Sequence, residues 1–399
     1  MTSYLRLWSF ALLATLAAAF ALNYWVDPYG LYRTYRDGEW KPHAATQGAL
    51  IKPYQVSMVQ PRTVVLGNSR AEIGFDPDDM AWPRAFRPVY NLALPGSGTR
   101  TASRLLDHVF AANSPQLVVL GVDFMDFLTA PDAQAEESAG IARLLVTPTG
   151  QPNRWRWLQM LHDGASTLLS LDAVVHSLNT LRLRGKADVA HLTFAGFNPS
   201  NDYRQIARQE GYFNLFRQRD TENLRAYQRR HKNLFLRNSR SSPAFDDVAT
   251  ILRTAGSQQV PVIVLIYPYH GHLLEILRTT GFWPLFEEWK RTLTDLVATE
   301  GRGNAVLWDF SGYHAFARER VPQHNDRTAE VRWYWEAGHF KSSLGHEVLM
   351  RIFGDGMPAF GVMLTPDSIE RHLLDVRIAG EGYRAENPGF LSELDALAN

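Results

Sequence analysis

An α/β fold, a three-layer sandwich around a central parallel sheet with an N-terminal transmembrane helix and a mostly helical insertion, is predicted by three observations. Short apolar runs that stop at Gly or Pro recur along the chain, stretches with helical spacing separate them, and a charge-free run opens the sequence. The 399 residues, 45% hydrophobic and 21% charged, are enough to bury a sizeable core.

Residues 7–26 (LWSFALLATLAAAFALNYWV) carry no charge, follow Arg6 and precede Asp27. This is close to the ~20 residues that cross a ~30 Å hydrocarbon core. Tyr24 and Trp25 suit the interfacial belt, and the charge bias puts the N-terminus in the cytoplasm. The expectation is a single-pass anchor (1–27) in a bacterial inner membrane, with the rest in the periplasm. The alternative is a cleaved signal peptide, because Ala19-Phe20-Ala21 resembles a cleavage site.

After a Pro- and Tyr-rich juxtamembrane stretch (28–60), the runs TVVL at 63–66, LVVL at 117–120 and VPVIVLI at 260–266 read as strands buried on both faces. Residues 89–92 and 306–308 are weaker strand candidates, and 103–110, 245–255 and 283–299 have helical spacing. Strands alternating with helices imply parallel pairing through right-handed crossovers, with the ligand site beyond the carboxyl ends of the strands. The sheet domain is expected over 61–128 and 243–355. Residues 129–242 break the rhythm and read as a helical cap. Residues 356–399 read as a C-terminal tail with helical patterning.

Lys+Arg 41 against Asp+Glu 41 leaves no global field for nucleic acid. Within 201–242, however, ten basic residues stand against four acidic ones, a face that suits an anionic glycan, lipid headgroups or simply solvent. The absence of cysteine excludes disulfides, thiolate metal sites and thiol nucleophiles.

The chemistry concentrates just after the strands. The first ends in Gly67-Asn68-Ser69-Arg70, where the turn can present a serine hydroxyl at the sheet edge. That hydroxyl needs a base. Glu336-Ala337-Gly338-His339 supplies an imidazole with a carboxylate three residues earlier to fix its tautomer. Asn91 opens a glycine-containing loop, and Ser69 and Gly96 are the expected backbone donors to an oxyanion there. Arg70, Tyr267, Tyr269, His270 and His272 are expected to bind substrate, the tyrosines as platforms for a sugar ring. A metal held by His270, His272 and Glu275 is disfavoured for want of a further ligand, and no cofactor is expected.

These blocks resemble those of the SGNH (GDSL-like) hydrolases, of flavodoxin-like fold. Gly67-Asn68-Ser69 is similar to their Gly-Asp-Ser block, the loop around Gly96 to the oxyanion-glycine block, and Glu336-x-x-His339 to the final Asp-x-x-His. With the anchor and the Gly-Asn-Ser-Arg variant, the chain most resembles the SGNH-like proteins of extracytoplasmic polysaccharide O-acylation, as in alginate O-acetylation and teichoic-acid D-alanyl transfer. The resemblance covers about residues 60–130 and 245–355. It implies an O-acyltransferase, of the O-acetyl kind, acting on an exopolysaccharide through an acyl-serine beside a membrane-bound O-acyltransferase partner. Two positions depart from the family. Asp123 falls where an oxyanion-binding asparagine would sit, and is expected to be protonated, turned aside or devoted to substrate hydroxyls. Glutamate replaces aspartate in the last block. The rivals are an esterase of the same fold and a catalytically inactive binding or assembly partner; a Ser69 to His339 separation beyond hydrogen-bond reach would favour the latter.

Overall fold

A computed structural model of the chain describes residues 2–35, 39–133, 141–186, 188–324 and 326–398. Strand β1 (Thr63–Leu66) lies between β2 (Val89–Asn91) and β3 (Leu117–Val122), followed by β4 (Val262–Ile266), β5 (Ala305–Asp309) and an edge strand, Val362–Leu364. The first five pair in parallel; the edge strand, β8, runs antiparallel to β5. A separate hairpin joins β6 (Tyr334–Glu336) to β7 (His339–Phe340). Every residue of β1 to β4 is buried, as strands covered on both faces must be.

The crossover helices fall into two packed sets. Thr99–Ala112, Pro243–Ser257 and Trp283–Glu300 lie side by side, whereas Ser69–Gly74 packs on Ser342–Phe353. The chain leaves β1 toward β2, then reverses to add β3, β4 and β5 on the other side. That reversal opens a crevice at the carboxyl ends of β1 and β3.

The strands and helices expected from hydrophobic patterning are present, with boundaries displaced by a few residues. The C-terminal segment does more than trail from the body: β8 extends the sheet, and Ile369, Leu373, Val376 and Tyr383 of helix Ile369–Glu386 are buried in the main core. Residues 129–242 contain four α-helices among those described: Arg156–Leu168, Leu171–Leu183, Asn201–Glu210 and Tyr212–Gln228. At the N-terminus, Ser3–Val26 is a helix long and apolar enough to cross a membrane.

Candidate active site

Ser69 sits directly beyond β1 as the first residue of helix Ser69–Gly74. Asn68 starts that helix, its side-chain oxygen accepting the Arg70 N–H at 3.1 Å. The turn is tight because Tyr267, at the end of β4, fills the space beneath it. A Cβ on Gly67, whose φ is +148°, or on Gly121 would overlap the Tyr267 hydroxyl. The same hydroxyl accepts the Asn68 N–H at 3.4 Å.

The β6–β7 hairpin brings the other two groups to this point. Ser69 Oγ lies 2.9 Å from His339 Nε2, and His339 Nδ1 is hydrogen-bonded to Glu336 Oε1. With Nδ1–H donating to the carboxylate, Nε2 is left as acceptor for the serine hydroxyl, the tautomer that proton abstraction requires. Ser69 and His339 are partly exposed, while Glu336 is buried. Burial alone would raise the Glu336 carboxyl. The His339 imidazole, its hydrogen bond, the Gly338 N–H and the Arg70 charge outweigh burial and hold it below the usual carboxylate range.

Arg70 locks the two halves together. Its Nε donates to Gly338 O at 2.6 Å, its guanidinium pairs with Asp123, and it lies over the Tyr269 ring at 5.4 Å. A second tie comes from His270, whose backbone N–H donates to Ala337 O at 3.2 Å. The serine helix, the end of β3 and the histidine hairpin thus meet at Arg70, and the hairpin is also tied to the segment after β4.

Several expected binding residues serve the scaffold instead. Asn91 is buried and cannot reach an oxyanion: its Nδ2 donates to Ala71, Glu72 and Phe75 carbonyls at 2.8, 3.3 and 2.8 Å, closing the end of the serine helix. Asp123 is turned aside, with Oδ1 accepting the Met125 N–H and Oδ2 paired with Arg70. Arg70 itself spends its Nε and one terminal nitrogen on protein groups. Tyr267 and Tyr269 are completely buried, so neither is a platform for a sugar ring. His270 caps helix Gly271–Thr279 through Nδ1 and donates from Nε2 to Glu319 O. His272 bonds Asp220 at 2.7 Å and stacks on Phe390 with centroids 3.6 Å apart. Burial pushes both imidazoles down to about 3 and the Asp220 carboxyl up, toward a neutral pair. Among the described residues, no cluster of three His, Asp or Glu could hold a metal ion.

Gly96 remains exposed on a loop tethered to Gly67 O by Leu94 N–H at 3.0 Å and by Ser97 Oγ at 3.3 Å. Its φ of +69° and the open space around it leave its backbone approachable. A cavity of about 820 Å³ runs along this loop and includes Asp126, which accepts from Asn68 Nδ2 at 3.4 Å. On the other side, a cavity of about 690 Å³ is bordered by Ile73, Arg204, Arg327, Trp335 and Lys341. Tyr203, from helix Asn201–Glu210, leans over His339 with centroids 6.3 Å apart and packs against Trp335. Lys341 lies 4.4 Å from the Trp335 ring, and burial lowers its ammonium to about 8.

Asp126 and Tyr203 were not singled out by sequence reasoning, and Asn68 entered only as part of the Gly-Asn-Ser-Arg block, without its role as an Asx residue directly before a helix start. Asp126 and Tyr203 lie in segments with no chemical motif. No family model matches the chain, and neither does any curated protein.

Proposed function

We propose that the chain is a membrane-anchored, SGNH-like serine O-acyltransferase that acylates an exopolysaccharide outside the cell. The reading rests on one observation, the Ser69–His339–Glu336 relay with its 2.9 Å serine-to-imidazole contact. In the first half-reaction, Ser69 Oγ attacks the donor's acyl carbon and its proton passes to His339 Nε2. Collapse expels the donor's leaving group, which takes that proton, and leaves acyl-Ser69. In the second, a sugar hydroxyl gives its proton to Nε2 and attacks the ester; the proton returns to Ser69 as the acylated sugar departs. Glu336 stabilises the imidazolium in both, and the Ser69 and Gly96 N–H groups are the oxyanion donors of this scheme.

An anionic glycan suits the cavity beside Tyr203 and Trp335, because Arg204, Arg327 and Lys341 outnumber Glu330 along its wall. A membrane-bound O-acyltransferase would deliver the acyl group from the cytoplasmic side.

The test is to incubate the purified protein with an activated acetyl ester and record its intact mass, with and without a glycan acceptor. A one-acetyl adduct on the Ser69 peptide, absent in Ser69→Ala and discharged faster by glycan than by water, is the expected result. An equal adduct in Ser69→Ala contradicts the reading, and discharge by water alone makes the protein an esterase.

A further inference from the structure

The helical pair Arg156–Leu168 and Leu171–Leu183 is folded inside out. Its polar side faces the protein and its apolar side faces outward. On the inner side, Asp163, Thr167, Ser177 and Thr180 are buried. Asp163 accepts from Tyr54 OH and Arg143 Nε, each at 2.8 Å, and Thr167 Oγ1 lies 2.5 Å from Tyr32 OH. On the outer side stand Trp157, Leu158, Leu161, Leu171, Val175 and Leu178, with Leu171 82% and Leu161 63% exposed. Positions 171, 175 and 178 make one stripe at helical spacing. His162 and Asp172 are exposed polar side chains beside Leu161 and Leu171, but in water the rest of such a face would be an apolar liability.

The position of this hairpin indicates what covers it. It packs on the last turns of the N-terminal helix, where Asn23 is buried between the two inserted helices. Asn23 Nδ2 donates to Leu168 O at 3.0 Å, and Ser177 Oγ donates to Asn23 Oδ1 at 2.7 Å. Ala19 and Leu22 are half-buried on the same side, and the small side chain of Ala19 lets the helices approach closely. Ser177 lies beside Asn23, whereas Thr180, Leu181 and Arg184 share a cavity with Trp25 and Val26. Helix Leu171–Leu183 therefore runs in the same direction as the N-terminal helix, with Leu169 and Leu171 set back along its apolar length. At the opposite, outward end stand Trp155, Arg182 and Arg184, together with Trp25, Arg33 and Trp40. This is the order of a membrane interface: apolar tip, aromatic and cationic collar, then protein. Burial raises the Tyr29 hydroxyl, and Asp172, the one acid on the second helix, is close enough for its charge to add to that.

We propose that residues 156–183 are a second membrane element, a hairpin that inserts its apolar face into the outer half of the bilayer without spanning it. It would fix the height and tilt of the catalytic domain relative to the membrane at a second point besides the N-terminal helix. The inference rests on reading residues 3–26 as a membrane anchor, and it commits to lipid as the occupant because the face is continuous with that helix.

The cysteine-free sequence makes the test direct. Full-length chains carrying Leu171→Cys, Leu178→Cys, Leu13→Cys or Gln258→Cys are labelled with an environment-sensitive fluorophore. Each is reconstituted alone in phosphatidylethanolamine–phosphatidylglycerol vesicles and quenched either by nitroxide on the acyl chains or by aqueous iodide. The labels at 171 and 178 should lose most of their fluorescence to nitroxide lipid and little to iodide, as at 13; the label at 258 should do the reverse. If 13 responds to lipid while 171 and 178 follow 258, or are shielded from both quenchers, the proposal fails and the face belongs to a protein surface. If 13 also fails to respond, the anchor reading falls with it.

Discussion

Arg70 carries more of the site than its position beside the serine suggests. It spans from Asp123 at the end of β3 to Gly338 O between Glu336 and His339, over the face of Tyr269. A guanidinium can hold both ends at once because its donors are fixed in a plane; an ammonium cannot. Arg70→Lys keeps the charge against Asp123 but releases Gly338. It should therefore lower kcat by on the order of 100-fold while leaving KM and the melting temperature nearly unchanged, the signature of a displaced base. Steady-state kinetics beside a thermal melt would show it; an equal loss in KM would mean that Arg70 touches substrate instead. The neighbouring residues show where reading from sequence stops. The meeting of Ser69, Glu336 and His339 was legible because a hydroxyl, an imidazole and a carboxylate are marked by residue type and by spacing from a strand end. Asn91, Tyr267 and Tyr269 occupy the same kind of position, but nothing in a linear pattern says whether a side chain at a strand end points out of the crevice or under it.

At the scale of elements, the site depends on how short pieces are fastened. Helix Ser69–Gly74 has only six residues and cannot hold itself together. Its end is closed by the three hydrogen bonds from Asn91, and Lys52 pairs with its Glu72 at 2.9 Å in a fully buried contact. Asn91→Leu keeps the branched shape but removes the amide that Phe75 O and the Ala93 N–H bond, whereas Ala71 O and Glu72 O keep the Phe75 and Asn198 N–H groups, so unfolding in urea should show a loss of about 2–3 kcal/mol. A variant within experimental error of the parent would mean that the helix end is held elsewhere. The same scale separates the elements that patterning reveals from those it conceals. β1, β3 and β4 were visible because burial on both faces makes uninterrupted apolar runs. β8 was not: it is three residues long, runs antiparallel, and exposes Val362 and Met363 at the sheet edge. The helices at 156–183 were expected as a cap. Their periodicity marks an apolar face but does not say which way it is turned, and the contacts with Asn23 supply that.

Across the whole molecule, the buried histidines make stability sensitive to acid. In His108, His191, His270 and His314, Nδ1 accepts a backbone N–H, from Leu145, Lys41, His272 and Ala317 respectively. A second proton would set two donors against each other. Burial, the leading cause in each, lowers His270 to about 3 and the other three to about 4. Because the unfolded chain takes up these protons near pH 6.5, stability is intact above that value. It then falls as the pH drops toward 4, by up to about 1.4 kcal/mol per pH unit for each histidine. Urea midpoints at pH 7.5 and 5.5 should differ steeply, and His108→Gln should shrink the difference; a flat profile would contradict the neutral assignments. The sheet, its switch point and the distant hairpin serve one arrangement, in which a serine at residue 69 meets an imidazole at residue 339 in accessible space. The most direct measurement of that claim is labelling with a fluorophosphonate, which reacts with serines activated by a neighbouring base. Ser69 should be the modified residue, with the adduct lost in Ser69→Ala and strongly slowed in His339→Ala. Modification elsewhere, or at a rate indifferent to His339, would contradict an activated nucleophile at this site.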